Sequence, residues 1–199
     1  MSSILAYAKR QADQHKIDPQ RTHVLQEVVD YIDQSRGRNE IPVLNFICTH
    51  NSRRSQLAQA WAAGLAAEMG IALSCLSGGT EVTRVHPMVV STLQEAGFTI
   101  VSNAENQRHT ISFSSGQPNL ELYSKLFSDA GKDQPFAAVL TCAGADESCP
   151  VIPYANARIA LRYTDPGAFD GTTQASLEYR NTSNLIASEM FHILSHCNQ

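Results

Sequence analysis

The sequence predicts an α/β fold, a three-layer α/β/α sandwich with a central parallel sheet, preceded by an N-terminal helical extension. Three observations support this prediction. From residue 43 onward, short apolar runs alternate with longer segments of helical periodicity. Residues 1–40 read as two helices. Two of the later segments end at a cysteine, Cys48 and Cys142, and open parallel sheets bind ligands beyond the carboxyl ends of their strands.

The N-terminal helical extension, residues 1–40, is predicted to contain one helix over residues 4–15 and a second that opens at Asp18-Pro19. A capping residue followed by proline is typical of a helix start. One apolar stripe at helical spacing runs along the second helix and is formed by Val24, Leu25, Val28, Val29 and Ile32. We expect this stripe to pack on the rest of the chain; the alternative is a homodimer contact through residues 1–40.

A polar linker over residues 35–42 leads into the second predicted unit, residues 41–199. Strands are predicted in this unit at 43–47, 71–76, 137–141 and 158–161. Helices are predicted at 55–69, 86–96, 120–129 and 173–194. Residues 102–119 are polar and predict a loop or a weak strand insertion. The turn residues Ser77 to Thr80 are predicted to follow the second strand, with glycines that allow positive φ.

Composition limits the function classes. A chain of 199 residues, 43% hydrophobic and 17% charged, can form one domain with a substantial core. The net charge of −4 and the scattered basic residues argue against a nucleic-acid surface. No segment approaches the roughly 18 apolar residues of a membrane-spanning helix, and no signal peptide is expected. Five cysteines, an odd number, favour a reducing compartment, so we expect a cytoplasmic protein.

The segment 48–55 reads Cys-Thr-His-Asn-Ser-Arg-Arg-Ser and directly follows an apolar run. A strand that ends at Cys48, a polar loop and the start of a helix together form an oxyanion cradle, because backbone N–H groups and the helix dipole favour negative charge. The same features favour the thiolate of Cys48, the nucleophilic form of cysteine. Arg54 supplies a planar fork that matches two oxygens of a tetrahedral anion. The predicted oxyanion-binding residues are Thr49, His50, Asn51, Ser52, Arg53, Arg54 and Ser55.

A simpler interpretation exists for this cysteine. A lone cysteine at the end of a strand is more often a small buried hydrophobic residue than a nucleophile. The strand before Cys48 and the helical pattern after Ser55 provide the context that catalysis requires, and they favour the catalytic interpretation. Asn51 is expected to adopt the left-handed backbone conformation that asparagine tolerates. Ser55 is expected to hydrogen-bond the sulfur.

Three motifs resemble one known family. The loop from Cys48 to Ser55 resembles the active-site loop of the low-molecular-weight protein tyrosine phosphatase superfamily, and Asp165-Pro166 resembles its late general-acid pair. The segment 141–150, Thr-Cys-Ala-Gly-Ala-Asp-Glu-Ser-Cys-Pro, resembles the redox segment of the thioredoxin-coupled arsenate reductases, a branch of that superfamily. The resemblance covers roughly residues 42–196 and implies the low-molecular-weight phosphatase-like fold.

The resemblance also implies a reaction. The substrate would be an oxyanion, with arsenate attacked by Cys48 while Asp165 protonates the departing oxygen. Cys142 would then attack the Cys48 sulfur and release arsenite, and Cys149 would carry the disulfide outward to thioredoxin. No cofactor or resident metal is implied. The family's potassium-binding glutamate corresponds to Gln59 here, so that ion site is not expected.

The sequence leaves alternatives open at each of these positions. His50 and Arg53 depart from the reductase pattern, which has glycine and cysteine there; Arg53 adds a second cation that could attract anions. Asp-Pro also occurs as simple turn chemistry, and Asp170 is a second candidate acid. Cys142 and Cys149 could be buried structural residues, or zinc ligands, although their spacing is wider than usual for zinc.

Two further functions compete with arsenate reduction. One is a phosphatase for phosphotyrosine or small phosphate esters, in which Cys142 and Cys149 protect Cys48 from oxidation. The other is a non-catalytic oxyanion-binding module that dimerises through its N-terminal helices. The two additional thiols favour the reductase, because a simple phosphatase does not need them.

Overall fold

The computed structural model describes residues 3–113, 116, 118–130, 132, 134–148 and 151–198. The helices are α1 (Ser3–Gln14), α2 (Pro19–Gly37), α3 (Arg54–Met69), α4 (Pro87–Glu95), α5 (Phe127–Ala130), α6 (Ala143–Ser148) and α7 (Ala175–His196). The strands are β1 (Val43–Cys48), β2 (Ser74–Gly79), β3 (Thr99–Asn103), β4 (Arg108–Ser112), β5 (Leu120–Leu122), β6 (Phe136–Leu140) and β7 (Ala155–Ile159). A short 3-10 helix spans Pro166–Phe169.

A parallel sheet in the order β2-β1-β6-β7 forms the centre of the fold. Every residue of β1 is buried, as expected for a strand with neighbours on both sides and helices on both faces. Because β1 and β6 are parallel neighbours, their carboxyl ends lie at the same edge of the sheet. Cys48 ends β1, and Cys142 lies two residues beyond β6. The α/β/α prediction is therefore confirmed.

The N-terminal helices pack on the same core as the sheet. Helix α1 contacts α7 and α3, and α2 contacts α7. Asp18 caps α2 by accepting a hydrogen bond from the Arg21 N–H, as the Asp-Pro pair predicts. The apolar stripe lies in the main hydrophobic cluster, with Val24 partly buried and its other members fully buried. Burial contributes about 1.5–3 kcal/mol for each such side chain. The apolar stripe thus packs against the rest of the chain, as expected.

The prediction of a helix over residues 120–129 is wrong. Strand β5 pairs with β4, with Leu122 opposite His109, and β4 pairs with β3 in a three-stranded antiparallel sheet. Only Phe127–Ala130 is helical. The apolar spacing of this short segment is compatible with either period, and pairing with a distant strand decided the outcome. The weak strand insertion expected at 102–119 corresponds to part of this sheet.

The glycines at the end of β2 are required by close backbone packing and not, as predicted, by a turn with positive φ. Gly78 and Gly79 lie within the strand, which runs three residues beyond the predicted end at residue 76. A Cβ on Gly78 would lie 2.2 Å from the Cα of Phe127, and one on Gly79 would lie 2.7 Å from the Thr49 carbonyl oxygen. Both positions therefore require glycine because other backbone approaches closely, and the segment next to Gly79 is the predicted cradle. Among the described residues, no helix is both long enough and apolar enough to cross a membrane.

Candidate active site

Cys48 lies at the carboxyl end of β1 with 4% of its surface exposed. Its Sγ is 3.1 Å from the Ser55 Oγ, in the first turn of α3. The Asn51 Nδ2 donates to the same oxygen at 2.9 Å. When Cys48 is a thiolate, Ser55 must be the donor to the sulfur, and the amide of Asn51 holds the hydroxyl in place. This arrangement can stabilise negative charge on the Cys48 sulfur, the candidate nucleophile.

Asn51 is the central support of the loop. Its φ is 45°, the left-handed conformation that the sequence predicts. Its Oδ1 accepts a hydrogen bond from the Lys125 N–H at 3.0 Å. The Gln56 Nε2 donates both to the Asn51 carbonyl and to the Tyr123 carbonyl, each at 2.9 Å. The loop is therefore fastened to α3 on one side and to residues 123–125 on the other.

The carbonyl groups of residues 48–52 accept hydrogen bonds from the surrounding segments at 2.9 to 3.3 Å. The donors are Thr80 N–H to Cys48, Glu81 N–H to Thr49, Thr83 Oγ1 and Ser124 Oγ to His50, Gln56 Nε2 to Asn51, and His86 N–H to Ser52. A loop whose carbonyls are held in this way can present its N–H groups to an anion. Helix α3 begins directly behind it and adds its positive dipole end.

Arg54 and Asp165 are brought together from positions 111 residues apart. The Arg54 Nη2 lies 2.6 Å from the Asp165 Oδ2, and its Nη1 donates to the Tyr163 carbonyl at 3.2 Å. The Nε of Arg54 is buried and has no hydrogen-bond partner among the residues that the structure describes. Asp165 caps the 3-10 helix by accepting from the Gly167 N–H at 3.0 Å. The arginine and the acid candidate of the two predicted motifs thus face one another.

Arg53, the second cation of the loop, has different partners. Its Nε donates to the Tyr179 hydroxyl at 2.6 Å, and its Nη2 pairs with Asp170. The Tyr179 hydroxyl donates to the same carboxylate at 2.8 Å, and His86 stacks on the Tyr179 ring. Although burial opposes it, hydrogen bonds from Tyr179 and Arg53 lower the pKa of Asp170. Asp170 is therefore an ionised partner of Arg53 and a poor proton donor.

Three other predicted cradle residues have distinct environments. His50 is half exposed, and its Nε2 lies 3.5 Å from the Glu81 carboxylate. Ser52 is buried, and its carbonyl accepts a hydrogen bond from the His86 N–H. The side chain of Thr49 points toward Cys142, with 3.6 Å between Oγ1 and Sγ.

Cys142 is buried beside the cradle. The residue before it, Thr141, donates through its N–H and its hydroxyl to the Ile47 carbonyl, at 2.8 and 2.9 Å. This pairing places Cys142 next to the end of β1. Its sulfur accepts a hydrogen bond from the Ala145 N–H at 3.3 Å. Thr49 directly follows Cys48 in the chain, and its hydroxyl contacts the second thiol, that of Cys142.

The predicted third thiol, Cys149, lies outside the described residues. The backbone leading to it forms helix α6. Cys75 and Cys197 are buried, and burial raises the pKa of both thiols, that of Cys197 to about 11.

Gln59 occupies the position at which the resemblance implies a glutamate in the reductases, and its side chain hydrogen-bonds β2. Its Nε2 donates to the Cys75 carbonyl at 2.9 Å, and its Oε1 accepts from the Ser77 hydroxyl at 2.6 Å. The ammonium of Lys125 lies 3.4 Å from the same hydroxyl. Burial, together with the charge of Arg108, lowers the pKa of Lys125 to about 8. Among the described residues, no group of three His, Cys, Asp or Glu side chains is arranged to hold a metal ion.

Three supporting residues were not expected from the sequence: Gln56 and Tyr179 act through their side chains, and Lys125 acts through its backbone N–H. Gln56 offered a signal, because it is a polar residue on the first turn of a helix that the motif places against the sheet. Lys125 and Tyr179 offered none. Both contact the cradle from segments that are distant in the chain, Lys125 through its backbone N–H to Asn51 and Tyr179 through its hydroxyl to Arg53.

Comparisons with known proteins agree with this geometry. The model of the family "Low molecular weight phosphotyrosine protein phosphatase" matches residues 43–116, which include the whole cradle. An arsenate reductase of Halalkalibacterium halodurans is 30% identical over 132 residues, which cover 66% of this chain and 79% of that protein. Arsenate reductase 2 of Staphylococcus epidermidis is 27% identical over 121 residues, 61% of this chain and 76% of that protein.

Solved structures support the fold. A low-molecular-weight protein tyrosine phosphatase from T. tengcongensis superposes with a TM-score of 0.52 at 16% identity, covering 77% of this chain and 97% of that one. The match of the family model to the cradle, and the 30% identical relative that is covered over most of its length, lead to one conclusion: the chain belongs to the low-molecular-weight phosphotyrosine protein phosphatase family of enzymes.

Proposed function

We propose that the protein is an arsenate reductase that converts arsenate to arsenite through Cys48, Cys142 and Cys149 and takes its electrons from thioredoxin. The observation that carries the proposal is the position of Cys142, whose Sγ lies 3.6 Å from the hydroxyl of the residue that follows Cys48. A second thiol beside the nucleophile serves reduction and is not required for ester hydrolysis. The named relatives are consistent with this choice.

The first step is attack on a bound oxyanion. Arsenate occupies the cradle, and Arg54 turns from Asp165 to two of its oxygens. The Cys48 thiolate forms a bond to arsenic while one arsenic–oxygen bond breaks. The departing oxygen already carries one proton, receives a second from Asp165, and leaves as water. Negative charge on the anion favours the protonated acid that this step requires.

The second step transfers two electrons. The Cys142 thiolate attacks the Cys48 sulfur, and a disulfide forms as the sulfur–arsenic bond breaks. The bonding electron pair stays on arsenic, which leaves as arsenite. In this proposal the Thr49 hydroxyl and the Ala145 N–H hold the attacking thiolate, because both are hydrogen-bonding neighbours of its sulfur.

The third step regenerates the nucleophile. Cys149 attacks the Cys142 sulfur, frees the Cys48 thiolate and leaves a Cys142–Cys149 disulfide, which the dithiol of thioredoxin reduces. The role of Cys149 rests on the sequence motif. Use of thioredoxin implies a cytoplasmic location, which stays a prediction. A homodimer through residues 1–40 is disfavoured because the apolar stripe is already buried within the chain.

A phosphatase is the second candidate, and the Arg54–Asp165 pair favours it equally. In that reaction Cys48 would take a phosphoryl group, Asp165 would protonate the leaving alcohol, and water would release phosphate. Replacement of Arg54 by lysine should weaken binding of either oxyanion, because an ammonium cannot donate two parallel hydrogen bonds.

The test compares the two reactions in one preparation. Arsenate, thioredoxin, thioredoxin reductase and NADPH are supplied, and arsenite formed is compared with NADPH oxidised; hydrolysis of p-nitrophenyl phosphate is measured in parallel. We expect one arsenite for each NADPH, dependent on thioredoxin. Ester hydrolysis without arsenite formation would show that the protein is a phosphatase and would overturn the reductase proposal.

A further inference from the structure

A partly buried ion pair joins α2 to α7. The Arg21 Nε and Nη2 lie 2.6 and 2.7 Å from the two carboxylate oxygens of Glu189, a bidentate pair. The Glu189 side chain is 1% exposed. Desolvation offsets most of the Coulomb attraction of such a pair, so net stability is a weak reason for its presence. A planar fork does, however, hold its neighbours in a defined geometry.

Arg21 also contacts the chain just before the acid candidate. Its Nη1 donates to the Arg162 carbonyl at 3.1 Å. Its guanidinium carbon lies 4.9 Å from the ring centroid of Tyr163. Tyr163 is buried, and burial together with the Glu189 carboxylate raises the pKa of its hydroxyl well above the usual value. The Tyr163 side chain is therefore neutral, and it lies between the ion pair and the candidate active site.

The other side of the same segment carries the catalytic groups. The Tyr163 carbonyl accepts from the Arg54 Nη1 at 3.2 Å, and Arg54 pairs with Asp165 two residues later. The Tyr163 N–H donates to the Thr141 carbonyl at 3.1 Å, one residue before Cys142. Residues 162–165 thus lie between Arg21 and the site. A shift of this segment would move the acid and the arginine together.

We propose that Arg21 is a positioning residue for Asp165 and Arg54, so that the N-terminal helices form part of the catalytic apparatus. This inference rests on the proposed function only in taking these two residues as the acid and the oxyanion ligand. It applies equally to arsenate reduction and to ester hydrolysis. Arg21, Glu189 and residues 162–165 lie outside residues 43–116, which the family model matches.

The variant Arg21→Lys keeps the positive charge but loses the fork and its several simultaneous hydrogen bonds. The double variant Arg21→Met/Glu189→Met removes both charges and avoids leaving a buried carboxylate unpaired. The matched control is Arg36→Gln. Arg36 lies on the same helix, and its Nη1 donates to the Asn198 carbonyl at 2.6 Å, near the end of the chain and away from residues 162–165.

The first measurement compares two esters with the same cradle contacts. Phenyl phosphate has a poor leaving group that needs a proton, whereas p-nitrophenyl phosphate needs it much less. We expect both Arg21 variants to lower kcat for phenyl phosphate roughly tenfold more than for p-nitrophenyl phosphate, because a misplaced acid transfers its proton poorly. A purely structural role would lower both rates equally. The control should leave the ratio of the two rates unchanged.

The second measurement does not depend on turnover. We expect amide hydrogen exchange in peptides covering residues 162–170 to accelerate in both Arg21 variants, while peptides of α3 and the control variant keep the wild-type rates. Unchanged exchange in this segment, or equal acceleration throughout the chain, overturns the inference. An active wild type with an unchanged ester ratio in the variants overturns it as well. If the wild type neither hydrolyses esters nor reduces arsenate, the proposed function fails and hydrogen exchange alone decides the positioning role.

Discussion

The cradle around Cys48 and the segment around Cys142 differ in how firmly they are held. In the cradle, Cys48, Asn51 and Ser55 are buried, and their polar groups are hydrogen-bonded to one another, to the Thr80 N–H and to the Lys125 N–H. Beyond Cys142, helix α6 is six residues long, and its first two residues are exposed. Further along, Val151 is 81% exposed, and Tyr154 is 62% exposed with a φ of 65°.

This difference corresponds to two chemical requirements. Stabilising an oxyanion requires donors that are already in place, since moving them during the reaction would cost free energy. A disulfide relay requires sulfurs to approach and separate in turn, so one of its segments must open at low cost. The two regions share one site through Thr49, and substitutions should separate their contributions.

The largest effect is expected at the nucleophile. Cys48→Ser should lower both arsenate reduction and ester hydrolysis by at least about a thousandfold, because a hydroxyl is not ionised under these conditions. Steady-state rates and thermal unfolding should be measured together, with the fold intact. Cys197→Ser is the control, since the pKa of that thiol is raised to about 11 and its hydrogen bond is to the Ile193 carbonyl. Retention of more than a few per cent of activity in Cys48→Ser would remove Cys48 from the mechanism.

Substitution of a thiol in the segment around Cys142 should affect arsenate reduction and leave ester hydrolysis unchanged. Cys142→Ser should allow at most one arsenate turnover, while ester hydrolysis continues near the wild-type rate. Cys149→Ser should stop at a Cys48–Cys142 disulfide, detectable as a crosslinked peptide by mass spectrometry. Equal loss of ester hydrolysis in Cys142→Ser would mean that the thiol supports the cradle rather than the relay.

The acid should produce an intermediate effect. Asp165→Asn should slow the chemical step by roughly a hundred- to ten-thousandfold, the usual contribution of a general acid, with phosphate affinity little changed. Asp170→Asn should mainly lower the melting temperature, because Asp170 is the partner of Arg53 and Tyr179. If Asp170→Asn were the slower enzyme in single-turnover experiments, the roles of the two acids would be reversed.

The smallest effect concerns the ammonium of Lys125, which lies beside the Ser77 hydroxyl, and the dependence of stability on pH. An ordinary lysine has a pKa of 10.5, and that of buried Lys125 is lowered to about 8. Between these values the unfolded chain binds more protons at this site than the folded one, so the free energy of unfolding should rise as pH increases from 8 to 10.5. The contribution is on the order of 3 kcal/mol.

Urea unfolding of Lys125→Met across this pH range should lack that rise. The control is Lys16→Met, which replaces an exposed lysine and should retain it. A wild type and a Lys125→Met variant with parallel pH profiles would show that the ammonium is well solvated in the folded protein.

Much of this protein was predictable wherever local pattern determines structure. The strand that ends at Cys48, the helix after it and the cap at Asp18 follow from periodicity and capping chemistry, since these interactions lie within a few residues of one another. The segment 120–129 was assigned incorrectly because its apolar spacing fits two periods. Its strand forms only by pairing with residues 109–111, whose own sequence does not indicate that partner.

The sequence by itself determined which residues could carry the predicted chemistry, and the tertiary structure decided which side chains they contact. A cysteine, an Asn and an Arg at fixed spacing predict an oxyanion site because the required donors lie in one loop. Adjacent Arg53 and Arg54 have the same charge and the same local signal, yet one braces Asp170 and the other faces Asp165. Which arginine meets which acid depends on contacts between residues more than a hundred positions apart, and such contacts exist only once the sheet and α7 have packed.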